Sequence, residues 1–102
     1  MAMESKPKDK AELQKDFVKH CKVLATYWSQ QNGTQLENME GLLHSLFVTF
    51  DGCSGGFPCA IDLVLRTHPE DKEYCIENGE DWVEDGLVLN DDVSLHNLLW
   101  SV

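Results

Sequence analysis

The 102-residue sequence predicts an α+β domain, an N-terminal helical hairpin packed on a small antiparallel sheet of about three strands, with one or two further short helices. Three observations carry that expectation. Apolar residues recur every three or four positions from Leu13 to Trp28 and again from Leu36 to Phe50. A run with period-two alternation, Cys59 to Arg66, lies between turn-forming residues. Asp85-Gly86 sits between two short apolar runs, as in a tight hairpin.

The first helix signal begins at Asp9, a capping residue with Glu12 three positions on. Leu13, Phe17, Cys21, Leu24 and Trp28 then form one apolar stripe, which Val18, Ala25 and Tyr27 widen. Lys10, Lys15, Lys19 and Lys22 take the water side. Asn32-Gly33 is expected to end the helix through the left-handed conformation that glycine tolerates. Residues 1–8 are polar and expected to fray.

Thr34 to Glu37 is a capping-box pattern, so a second helix should start at once and form an αα-hairpin with the first. Leu36, Met39, Leu43, Leu46, Phe47 and Phe50 continue it on helical spacing, although Leu46 to Phe50 also has the composition of a strand. Gly41 inside this helix costs about 1 kcal/mol relative to Ala, a cost that close approach of another backbone would explain.

Glycines 52, 55 and 56 with Pro58 mark a loop. The run 59–66 reads as a strand, central because both of its faces are largely apolar. Thr67, with Pro69 in the first turn and Glu70 at the capping-box position, should open a third helix that Asn78-Gly79 closes. Residues 81–84 and 87–89 complete the expected sheet as a hairpin. Leu95, Leu98 and Leu99 suggest a short closing helix. No linker or repeat divides the chain, and residues 1–102 read as one domain.

Composition narrows the function classes. Apolar residues at 42% and charged residues at 25% fit a globular chain, and no apolar run approaches the roughly 20 residues of a membrane span. The start MAMESKPKDK lacks an apolar signal core, so a cytoplasmic setting is the default and the four cysteines are expected as reduced thiols. The net charge of -10 is uneven: residues 1–33 balance at +2, with six lysines, and residues 34–102 at -12, with only Arg66 and Lys72 as bases. Direct nucleic-acid binding is thereby disfavoured, since phosphates need clustered Lys and Arg. A protein partner fits better, or a second copy, or a nucleic-acid-binding protein for which the acidic surface acts as a mimic. Three tryptophans and four phenylalanines add the prospect of an exposed aromatic patch and a homodimer.

No catalytic residue, metal or cofactor is expected. The ligand-binding candidates are Asp51, Cys53, Asp62 and His68, which would serve an alternative reading as a small-ligand or metal binder or a hydrolase-type enzyme built on the loop 51–59. A reactive Cys53 needs a base such as His44 or His68 in hydrogen-bond reach. Asp62 lies in an apolar run and must be paired or exposed to escape a desolvation cost of several kcal/mol. Arg66 shares its strand face, but two strand periods separate them by roughly 13 Å. Cys53, Cys59, His68 and Cys75 could supply zinc ligands, though without the paired C-x2-C or H-x3-H spacing.

Gly52 to Gly56, GCSGG, resembles the Gly-Cys-x-Gly-Gly segment of papain-like cysteine proteases. That segment is structural in the family, whose members need a considerably longer chain and a separate cysteine followed by tryptophan. The resemblance therefore implies a turn with an incidental thiol. The runs 42–52, 61–65 and 68–82 resemble small uncharacterised bacterial proteins, including ones carried on phages or other mobile elements. This resemblance implies an accessory interaction module or inhibitor and carries over no catalytic residue.

Overall fold

The computed structural model describes residues 5–102. Four helices occur among them: α1 Lys10–Ser29, α2 Gln35–Phe50, α3 Asp71–Glu77 and α4 Leu95–Leu98. The α+β expectation is overturned, because no β-strand forms among the described residues and a single antiparallel bridge, Val64 to Val88, is all that remains of the sheet.

The hairpin of α1 and α2 is built as its local signals dictate. Asp9 caps α1, its Oδ1 accepting from the Glu12 N–H at 2.8 Å. Thr34 and Glu37 close a reciprocal capping box on α2, at 3.1 and 3.2 Å. Residues 46–50 are helical, so periodicity outweighs the β-branched composition there. The end of α1 differs from expectation: the helix stops at Ser29 with Gln30 as its cap, and the left-handed glycines are Gly52, Gly79 and Gly86, not Gly33. Of residues 1–8, the first four lie outside the described residues, while Lys6 and Lys8 reach Glu12 and Asp16 on α1 at 3.9 and 2.7 Å.

What approaches Gly41 is a side chain rather than a backbone. A Cβ built there would stand 2.4 Å from Cζ3 of Trp28, so the missing side chain is the seat of the indole ring. The ring is fixed by its Nε1–H, which donates to Ser45 Oγ at 2.9 Å. At the other end of the hairpin, Phe57 from the loop enters between the helices, edge-on to Phe17 at 5.5 Å between centroids, and Phe50 closes the cluster. Among the described residues Phe57 and Thr49 are the most deeply buried large apolar and polar side chains.

Beyond the hairpin the chain forms an arm over residues 62–89. The segment leading into it keeps the period-two pattern from residue 61, with Ile61, Leu63 and Leu65 half-buried and Asp62, Val64 and Arg66 exposed. It is therefore not a central strand. Leu65 N–H donates to Leu87 O, Gly86 N–H to Leu65 O and Leu89 N–H to Leu63 O, so residues 86–89 return along 63–65. The expected pairing of 81–84 with 87–89 does not form, because the Asp85 carboxylate accepts the Thr67 N–H at 2.8 Å and holds the turn over 65–67. That bond takes the backbone N–H that the Glu70 carboxylate would accept in the expected capping box, and α3 starts at Asp71 with Glu70 as a cap lacking a side-chain bond.

Asn90 anchors the arm. Its Oδ1 accepts from Leu63 N–H at 3.0 Å, and its Nδ2 donates to Ile61 O at 2.8 Å and Phe50 O at 3.2 Å. One amide thus ties the arm's two ends to the C-terminus of α2. α1 packs on α2 and α2 on α4, whereas α3 packs on no other helix.

Candidate functional site

Three side-chain groups could carry function, and chemistry separates them. The first lies inside the hairpin. His20 Nε2 is 2.9 Å from Thr49 Oγ1 and 3.5 Å from Ser54 Oγ. Thr49 has one hydroxyl hydrogen, and it goes to Ser45 O at 2.9 Å. Toward His20 the hydroxyl must therefore accept, which places the hydrogen on Nε2. A histidine that donates to a hydroxyl is not the base that activates it. His20, Thr49, Ser45 and Trp28 form a polar strut between the two helices.

The second group joins α2 to α4. Asp51, at the C-cap of α2, has a side chain only 4% exposed, and its Oδ2 accepts from the His96 ring Nδ1–H at 2.7 Å and the His96 backbone N–H at 3.1 Å. Its Oδ1 is buried without a partner among the described residues. The His44 ring stands edge-on to His96 at 5.8 Å and accepts the Trp100 Nε1–H at 3.1 Å. A carboxylate that orients an imidazole is half of a nucleophilic triad. The other half is missing among the described residues: no hydroxyl or thiol hydrogen-bonds to His96 or His44. The cluster latches α4 to α2.

The ligand-binding candidates are not gathered into one site. Asp51 belongs to the latch. Cys53 is exposed, with its Sγ 3.7 Å from Asp51 O, and neither His44 nor His68 bonds to it. Asp62 is exposed on the arm, which removes its desolvation cost without a partner. His68 Nδ1 accepts the Glu70 N–H at 3.3 Å in a local turn. All four cysteines are free, and half-burial raises the pKa of the Cys21 thiol, making it a poorer nucleophile at neutral pH. Among the described residues no three His, Cys, Asp or Glu side chains converge as metal ligands.

The third group is a surface. Along α1, Val18, Val23 and Tyr27 are each more than half exposed, and Lys15, Lys19 and Lys22 line the same grooves. Those lysines form no ion pair among the described residues. On the arm, Tyr74, Ile76, Val83 and Leu87 are likewise more than half exposed, amid Glu73, Glu77, Glu80 and Asp81. The arm is stiffened from within. Glu84 accepts from Trp82 Nε1–H at 3.0 Å and from Lys72 at 3.1 Å, and these two bonds hold its carboxyl below the usual range. Lys72 also lies 5.2 Å over the Trp82 ring.

His96 and His20 escape sequence reasoning because their partners lie 45 and 29 residues away. The lysine stripe is legible in the sequence as the polar side of α1, whereas Val18 and Tyr27, expected on its packed face, are exposed. No protein-family model, curated protein or solved structure matches the chain. No helix among the described residues is long and apolar enough to cross a membrane.

Proposed function

We propose that this protein is a non-catalytic interaction module that completes its apolar packing against a protein partner. The observation that carries this reading is exposed surface. The chain exposes 8341 Å². A compact chain of 11.6 kDa would expose about 5,800 Å². Large apolar side chains contribute to that surface: Val18, Val23 and Tyr27 on α1 and Tyr74, Ile76, Val83 and Leu87 on the arm are more than half exposed, as are Leu36 and Met39 on α2 and Trp100 after α4. The internal use of the histidine hydrogens supports a structural role for both polar clusters. The resemblance of 42–52, 61–65 and 68–82 to mobile-element proteins favours an accessory binding role, in the cytoplasm, over an enzyme.

Gentle isolation of the tagged chain from its host tests the reading. The expected result is a companion chain, identical or different, in stoichiometric amount, with recovery falling as salt rises. Recovery of the tagged chain alone, monomeric at low salt, would overturn it.

A further inference from the structure

We propose that the occupant of the exposed surface is a second copy of this chain, in a twofold dimer where the lysine stripe of α1 receives the acidic arm of the partner and the exchange is mutual. The proposal rests on the reading as an interaction module and names its partner.

Charge is the first argument. The α1 stripe presents Lys15, Lys19 and Lys22 around Val18, while the arm, residues 62–89, carries nine acids against Arg66 and Lys72. The apolar surfaces of α1 and of the arm are thus opposite in sign. Apolar contact flanked by opposite charges fixes orientation as well as adhesion. Residues 34–102 as a whole would repel any acidic partner, yet one fully suited surface exists on the chain itself.

Intramolecular closure is not used. α3 touches no other helix of its own chain, and Asn90 holds the arm's base at the end of α2. A twofold axis solves the mismatch. In an isologous pair each α1 meets the other chain's arm, both contacts form at once, and no unpaired end is left to continue a filament.

Area is the second argument. The excess over a compact chain is about 2,500 Å² for each copy. Two copies together could then remove up to about 5,000 Å² from water, within the span of obligate homodimers at roughly 2,000–5,000 Å². A weak, transient encounter would need far less.

The test is sedimentation equilibrium on wild type and on two charge-reversed chains, K15E/K19E/K22E and E73K/E77K/E80K, alone and mixed. Wild type is expected at twice 11.6 kDa in low salt, dissociating as salt rises. Each reversed chain alone is expected to be monomeric: the first makes α1 acidic like the arm, and the second takes the arm from a net charge of -7 to -1, so the lysine stripe loses its opposite. An equimolar mixture is expected to form a heterodimer, because one contact is the unchanged pair of lysine stripe and acidic arm, and in the other the acidic α1 of the first variant faces the new positive charges at 73, 77 and 80 of the second. A wild-type mass of one chain at low salt across all concentrations would overturn the proposal, whatever the variants do. So would a mixture that stays monomeric while both variants retain wild-type helix content by circular dichroism. A monomer that still brings a different chain from its host in stoichiometric amount removes the second copy and leaves the interaction reading standing. A monomer with no companion removes both.

Discussion

Gly41 sits where a methyl group would overlap the Trp28 ring, at 2.4 Å. Replacing it with Ala gains about 1 kcal/mol of helix propensity and loses about 1–3 kcal/mol to overpacking. The loss should win, because the ring is held by Ser45 and cannot slide away. Gly41→Ala is expected to lower the melting temperature by about 4–8 °C, and an unchanged or raised value in calorimetry would show that the ring yields. Glu37 gives a test by pH. The backbone N–H and the side chain of Thr34 lower its carboxyl pKa, so its stabilisation is present above the unfolded value, about 4.3, and disappears as pH falls through the lower folded value. Unfolding midpoints followed from pH 7 to pH 3 should fall more steeply for wild type than for Glu37→Gln. Equal slopes would detach the carboxylate from the capping box.

Each junction between elements depends on few side chains. His96→Ala removes the ring bond to a carboxylate that is almost wholly buried, at an expected cost of about 1–3 kcal/mol, with faster amide exchange confined to α4 and the end of α2. Asn90→Asp keeps size but turns two donors into an acceptor facing the carbonyls of Phe50 and Ile61, so the arm should loosen while α1 and α2 keep their protection. Exchange that rises evenly over the chain would mean that the arm and hairpin unfold as one unit. These junctions also mark what the sequence could and could not convey. The caps at Asp9 and Thr34, and the helix through Val48 and Thr49, were legible because each rests on residues within four positions. Alternation in 61–66 was also legible and survives as alternating burial, but alternation does not say whether a neighbouring strand exists. The hairpin expected at Asp85-Gly86 gave way to a side chain, Asp85, bonding Thr67 eighteen residues away. Of the four candidate ligand residues only Asp51 has a buried, organised carboxylate, and its partner His96 comes from a distant turn that no local pattern reveals.

At the scale of the whole molecule, the chain is elongated, 65 by 42 by 22 Å, with a radius of gyration of 18.2 Å. A compact chain of this length would have about 13 Å. On the proposed reading, the arm and the bare stripe of α1 are surface for another molecule to cover. Val83→Ser on the arm is therefore expected to change the stability of the monomer by no more than about 0.5 kcal/mol, while weakening association markedly in a dilution series. A cost of about 2 kcal/mol or more in the monomer would place Val83 in a closed core instead. The same contrast is most direct in small-angle scattering from the chain held monomeric by dilution in high salt. A radius of gyration near 18 Å is the expected result, with the arm extended and its apolar residues uncovered. A value near 13 Å would mean that the arm folds back over its own α1, and would contradict the assignment of that surface to a partner.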